Sequence, residues 1–287
     1  MGLSGWTLAN IYSLNLGNAK QGLTTLLKIV FHQAYMTRYY TSVAESPYRV
    51  KAIYNRLKDH YPTVIPRPAT REDLLRAHTD ELIQKVQQEG RETYQTALLA
   101  AGGALCAARL AVFFHPAFAV IRPPGHHAGR DQFGRFCFFN NMAIAVKWLL
   151  DKRFIRSVII VDFDMHCADG TREIFAEHPG VAIIDIWAKD RELYFELLQT
   201  ELAQTPPADL IAVSAGFDLY VQDWGGILET ADFHRIGLLI HRTALEKARG
   251  RYFGVLEGGY YLNDLGKNAL AFCQGLDGKN GASAAPR

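Results

Sequence analysis

Four short stretches carry side chains of the kinds that bind metal ions and move protons: VIRPPGHHAG (120–129), DFDMHCADGT (162–171), SAGFD (214–218) and LEGGY (256–260). The first sets two adjacent imidazoles, His126 and His127, behind two prolines and a glycine. Neighbouring side chains on an extended chain point to opposite faces, so a histidine pair in a tight Gly/Pro turn calls for more than an incidental surface turn. In the second, Asp162, Asp164 and His166 alternate at the end of an apolar run. Pleating would aim all three at one face, and carboxylate–x–imidazole is half of a metal site. Asp169 follows in the turn, and Asp218 and Tyr260 each follow apolar runs of their own. Singly these are a capped turn, a loop acid and a flexible tyrosine. Together they put ionisable groups at four strand exits.

The elements that must position them alternate along the chain. Nearly continuous apolar runs at 27–32, 118–122, 157–163, 181–187, 209–215 and 252–258 predict strands covered on both faces. Ser46-Pro47 starts a helix with Val50, Ile53, Tyr54 and Leu57 on one face, and Thr70 with Asp73 resembles a capping box. Helical periodicity recurs at 93–111, 140–152, 230–248 and 263–272. Strands alternating with helices predict a single α/β domain, a mostly parallel sheet with helices on both faces in three layers. In such sheets ligands bind beyond the carboxyl ends of the strands, where the polar residues above fall.

Composition bounds the partners. With 287 residues, 49% hydrophobic and a net charge of +2, the chain buries a full core and has no basic stripe. No nucleic-acid or membrane partner is expected. Cys106, Cys137, Cys167 and Cys273 form no CxxC pair and suit a reducing compartment. No apolar run is expected to reach the roughly 18 residues of a membrane span, and the opening lacks a secretory pattern. A cytoplasmic location follows as an expectation. Residues 1–27 read as an extension of unassigned structure, 28–275 as the domain, and 276–287 as a flexible tail. Oligomeric state has no signal.

RPPGHHA (122–128), FCFFNNMAIA (136–145), DFDMHCADGT, SAGFD and LEGGY, in that order, resemble the zinc-dependent histone deacetylase family, with its acetoin-utilisation and acetylpolyamine amidohydrolase members and its arginase-like fold. ATREDLLRAH (69–78) is also similar to the family's segment there. The resemblance implies Asp164, His166 and Asp218 as ligands of Zn2+, with Fe2+ an alternative. It implies His127 as general base and then acid, His126 as its electrostatic partner, Asp162 and Asp169 as the carboxylates orienting them, and Tyr260 as oxyanion donor. Phe136 would wall a substrate tunnel, with Arg135, Trp224, Gly258 and Gly259 at the substrate. The implied activity is hydrolysis of N-acetyl or other acyl groups from lysine-like or other primary amines, an amide C–N bond other than a peptide bond.

The sequence also departs from that pattern. Cys167 replaces a second histidine and is expected to be a small buried residue; Ala168 replaces a glycine. Arg135 stands where the family has glycine, which could narrow the tunnel or charge it. The stretch after Asp185 is short, leaving Trp187, Tyr194 or Phe195 as candidates for the opposite wall or for the core. Asp185 occupies the place of a serine that ligates a structural potassium (K+), a role an aspartate can fill; a local turn is the alternative. No acid stands at Gly225 to select polyamines. His32, His60, His78, His115, His178, His234 and His241 read as structural or surface. Two other readings stay open: a catalytically weak or inactive acyl-lysine binder of this fold, and ureohydrolase chemistry, which would need two metals and more bridging carboxylates.

Overall fold

Val- and Ile-rich runs form the strands because β-branched side chains suit a pleated surface buried on both sides. In the computed structural model, which describes residues 27–279, they are β1 (Lys28–Val30), β2 (Thr63–Val64), β3 (Ala117–Ala119), β4 (Val158–Asp162), β5 (Val181–Asp185), β6 (Leu210–Ala215) and β7 (Tyr252–Leu256). They make one sheet in the order β2-β1-β3-β7-β6-β4-β5, with every pairing parallel. The helices are α1 (Tyr48–Leu57), α2 (Arg71–Leu74), α3 (Asp80–Gln88), α4 (Arg91–Phe113), α5 (Asn141–Asp151), α6 (Asp169–Phe175), α7 (Arg191–Gln204), α8 (Thr230–Lys247) and α9 (Leu262–Leu276). They cover both faces of the sheet, as the alternation implied. Most of the expected extension and tail, 1–26 and 280–287, lie outside the described residues.

Sheet order is what builds the site. β3, β7, β6 and β4 are neighbours, and these four strands lead into the four polar stretches. Their ends are level, with Asp162 opposite Ser214, Ser214 opposite Val255, and Val255 opposite Ala119. Four loops distant in sequence therefore leave the sheet side by side.

An aromatic layer lies under those loops. Phe272 of α9 meets Phe118, Phe163 and Phe217 at ring-centroid distances of 5.6, 5.0 and 6.0 Å. Phe163 sits between Asp162 and Asp164, and Phe217 precedes Asp218. Both rings are buried, so the core anchors the chain right beside each acid.

Three expectations change. The third strand stops at Ala119 instead of 122, and the chain turns at a cis Arg122–Pro123 bond. α4 is, by length and composition, apolar enough to cross a membrane, contrary to the expectation that no run would be. It serves as a core helix, with Ala100, Ala101, Ala104, Ala107 and Ala108 buried. Leu276 belongs to α9 and is fully buried, so the domain runs past the expected boundary at 275.

Truncating Phe272 to alanine removes the ring shared by three others under the site. We expect Phe272→Ala to cost about 3–5 kcal/mol, read as a lower denaturation midpoint with helix content largely kept.

Candidate active site

The histidine pair faces one way because it sits at a turn tip and not on a strand. Ala128 N donates to Gly125 O at 3.0 Å, leaving His126 and His127 as the central residues, their rings 4.1 Å apart. Glu257, just past β7, clips this turn to the sheet. Its Oε2 accepts the N–H groups of Gly125 (2.6 Å) and His126 (3.2 Å), and its Oε1 accepts the Ser214 hydroxyl (3.3 Å).

Asp164 and His166 likewise reach the site by a different route from the one expected. β4 ends at Asp162, so pleat alternation does not carry past it. Instead Asp162 Oδ1 accepts Asp164 N and Asp164 Oδ1 accepts His166 N, both at 3.0 Å, which makes two successive side-chain turns. Asp218 Oδ1 accepts Met165 N at 3.0 Å and ties the third acid to the same loop.

Asp164, His166 and Asp218 each bring a donor atom within 4.8 Å of the others. His166 Nδ1 lies 2.9 Å from Asp164 Oδ1 and 3.3 Å from Asp218 Oδ2. Asp218 Oδ2 is buried and has no hydrogen-bond partner. Burial, followed by the Asp164 charge, pushes the Asp218 carboxyl up to about 7. Asp164 is lowered instead: burial opposes this, but His126 and His166 outweigh it. Two buried carboxylates, one oxygen orphaned, beside an imidazole form a donor set that fits a divalent transition metal. Gly258 completes the cradle. Its N–H reaches Asp164 Oδ2 at 2.8 Å, and a Cβ there would collide with Asp164 Oδ2 and Asp218 Oδ2.

Each histidine is held through Nδ1, His126 by Asp162 Oδ2 at 3.1 Å and His127 by Asp169 Oδ1 at 2.6 Å. Their electrostatics differ. Burial disfavours a charged His126, but Asp162 and Asp164 overcome it and raise its pKa well above the ordinary value. For His127, burial and then the neighbouring His126 lower it to about 4. The two rings are thus shifted in opposite directions.

His126, His127, Arg135, Phe136, Trp224 and Tyr260 line one cavity of about 250 Å³, with His166 and Gly258 also in its wall. Trp224 stacks on Tyr260 at 4.1 Å and 21°, and Phe136 stands 6.2 Å from the same ring. Burial keeps the Tyr260 phenol protonated far above neutral pH. Gly259 holds φ at +112° where the chain turns into this tyrosine. All the expected site residues thus meet at the ends of the four neighbouring strands.

Other expectations fall elsewhere. Tyr194 and Phe195 are buried on α7, whose N-cap Asp190 accepts Leu193 N at 2.9 Å, and Trp187 is 73% exposed. None of them lines the cavity; its aromatic residues are Phe136, Trp224 and Tyr260. Cys167, two residues before α6, is exposed rather than buried. Asp185 Oδ2 accepts Ala168 N and Arg172 Nε, each at 3.1 Å, while its Oδ1 is buried without a hydrogen-bond partner. Gly225 has no room for an acidic side chain, since a Cβ would stand 2.7 Å from Leu219 Cα.

Arg49 escaped the sequence reading. Fully buried on α1, it donates Nε to Gly259 O at 2.6 Å and Nη2 to Glu257 O, and its guanidinium lies 4.8 Å from the Tyr260 ring centroid. Among many surface arginines, nothing in its sequence context marks it.

The Histone deacetylase domain family matches residues 43–196, more than half of the 287-residue chain. This chain belongs to the histone deacetylase family. A "Probable deacetylase" of Methanothermobacter thermautotrophicus is 31% identical over 66% of this chain and 66% of its own length. Histone deacetylase HDA1 of Candida albicans is 25% identical over 91% of this chain and 41% of its own length. The chain thus spans about two thirds or less of these curated relatives. The HDA15 HD domain crystal structure shares the fold, with a TM-score of 0.77 at 23% identity, covering 91% of each chain.

Two outcomes test this deacetylase-family scaffold. Gly258→Ala should take up less of an added divalent metal ion than the wild type, read as metal bound per chain at equilibrium, with a native far-ultraviolet spectrum retained. The second concerns His78, whose Nδ1 bonds Gly129 O at 2.8 Å while Nε2 accepts Asn140 N at 2.9 Å. Both contacts fit only the neutral ring, and burial lowers its pKa from 6.5 to about 4. The folded value lies below the unfolded one, so this contribution is present above pH 6.5 and is lost as pH falls toward 4. It amounts to about 3 kcal/mol. Unfolding free energy should fall less steeply across that window in His78→Gln than in the wild type.

Proposed function

We propose that the protein is a metal-dependent deacetylase that hydrolyses N-acetyl or other acyl groups from lysine-like or other primary amines. The observation that carries this reading is the convergence of Asp164, His166 and Asp218 with His126, His127 and Tyr260 around one cavity. A divalent ion such as zinc, or iron in its place, held by that donor set would polarise an acyl carbonyl and acidify water at the same spot.

The chain's own groups account for the remaining steps. His127, kept neutral and oriented by Asp169, takes a proton from the attacking water and passes it to the leaving amine. His126, paired with Asp162, supplies positive charge beside the reacting centre. Tyr260 keeps its proton and donates it in a hydrogen bond to the carbonyl oxygen as negative charge grows there. Arg49 positions that tyrosine by holding the Glu257 and Gly259 carbonyls. Phe136 and Trp224 flank the substrate stem.

The second donor cluster, His126, Cys137 and Glu257, gives little support to a two-metal ureohydrolase reading. Its Glu257 is occupied by backbone N–H groups and by Ser214. A structural potassium at Asp185 draws support from the orphaned Oδ1, with Arg172 already neutralising the other oxygen. A cytoplasmic setting remains part of the proposal, on the cysteine pattern.

Acetate release from an acetyl-lysine peptide should stop with a chelator and return with zinc. Tyr260→Phe removes only a hydroxyl, so zinc content and melting temperature should hold while turnover falls by roughly two to three orders of magnitude. His127→Ala should be at least as damaging with metal retained, whereas Asp218→Ala should lose the metal. A zinc-loaded wild type inert toward every acylated amine tried would end this reading.

A further inference from the structure

Arg135 is held where an arginine is costly. Gly134 and Cys137 exchange both backbone hydrogen bonds, at 3.1 and 2.8 Å, closing a two-residue hairpin. Its central residues, Arg135 and Phe136, have φ of +49° and +71°. Both positions thus sit in the left-handed region of a primed turn, where asparagine and glycine are the ordinary occupants. Strain of this kind persists where surrounding structure and function hold it. Phe136 has its reason in the ring that lines the cavity. Arg135 lines the same cavity, is exposed, and makes no hydrogen bond or ion pair with any described residue.

Arg135 is also the one permanently charged side chain among those lining residues. Asp169, the carboxylate that registers its charge, is bound to His127. Asp223, beside Trp224, spends its oxygens on the N–H groups of Trp224, Tyr260 and Tyr261. The guanidinium fork therefore stands at the mouth with no hydrogen bond to a described residue, its one carboxylate neighbour, the half-exposed Asp169, acting on it only through its charge. Depth decides which part of a substrate meets it. Asp164, Asp218 and His126 are buried at the floor, where the hydrolytic reading puts the acyl carbonyl; a short acyl group such as acetyl fits inward beside it, which leaves the longer amine portion to extend to the exposed rim.

We propose that Arg135 is a specificity-determining residue that selects acylated amines bearing a carboxylate on the amine side of the scissile amide. This rests on the hydrolytic reading above. The carboxylate could be that of a free acylated amino acid or of an acidic residue beside an acylated lysine in a peptide; a planar, bidentate pairing suits both.

The test compares matched pairs on the zinc-loaded full chain: Nα-blocked Nε-acetyl-lysine against its carboxamide, and acetyl-lysine peptides with Glu against Gln next to the modified lysine. At low salt the wild type should prefer the anionic member of at least one pair by roughly three- to tenfold in kcat/KM, mainly through KM. Which pair responds tells the two sources apart. The preference should fall to about one in Arg135→Gln, persist in part in Arg135→Lys, and shrink in about 1 M salt. Equal kcat/KM within both pairs, or a preference that Arg135→Gln leaves intact, overturns the proposal. So does a charge preference confined to the acyl chain. If nothing is turned over with zinc bound, the hydrolytic reading fails by itself. The same pairs are then compared by Kd on the zinc-loaded His127→Ala protein, where equal affinities overturn the Arg135 proposal separately.

Discussion

Two carboxylates forced together out of water govern the active end of this protein. The donor atoms of Asp164 and Asp218 lie within 4.8 Å, both side chains are buried, and one oxygen of Asp218 has no hydrogen-bond partner. At an effective dielectric of about 20, two charges at that separation repel by about 3–4 kcal/mol. The fold answers part of this with Gly258 N–H, Met165 N–H and His166, and leaves the rest for a cation or a proton. Burial first, and then the unanswered charge of Asp164, raise the carboxyl of Asp218. A pair like this survives only on a scaffold stiff enough to hold it, and the scaffold is what the remaining elements provide.

That stiffness is built from backbone as much as from side chains. Glu257 clips the histidine turn to the end of β7, and Arg49 clips the tyrosine loop to α1 by two carbonyls. Arg49 and Arg122 share Glu45, and all three are fully buried. Removing one member of such a group strands the charge of the others. Its effect on chemistry would therefore pass through loop position: Arg49 touches carbonyls at 257 and 259, not the reacting atoms. Below, Phe163 and Phe217 lock the residues flanking each acid into the core, so floor and scaffold share one packing.

Much of this was legible in the sequence, for physical reasons. Unbroken Val/Ile runs mark strands covered on both faces, and polar residues at their exits mark the ligand edge of an α/β sheet. What sequence spacing could not carry was the mechanism of convergence. Asp162, Asp164 and His166 share a pocket through side-chain-to-backbone turns beyond β4, not by strand alternation. Tyr194 is open in sequence as either wall or core, and it is the start of α7, capped by Asp190, that turns it into the core. Glu257 and Arg49 were invisible, since their partners are main-chain groups from loops 132 and 210 residues away. The order of the sheet, which puts β7 between β3 and β6, was equally beyond local pattern.

Tolerance in this site is graded by depth. At the floor, a single added carbon at Gly258 meets carboxylate oxygens of Asp164 and Asp218 that cannot yield. At the mouth the constraint reverses. A Cβ at Gly134 meets nothing within 4 Å, Arg135 and Trp224 are exposed, and the neighbouring loop carries Tyr40 at 97% exposure. A floor so tightly determined admits one arrangement of ligands and proton carriers. A mouth so loosely determined can take bulk, charge or aromatic surface without disturbing what lies beneath. The strained hairpin at 134–137 stands between these regimes: its closing hydrogen bonds fix Phe136 toward the cavity, and its tip sends a cation outward. Chemistry and selectivity therefore reside in different layers of the same four-strand edge, and only the upper layer can be rewritten residue by residue.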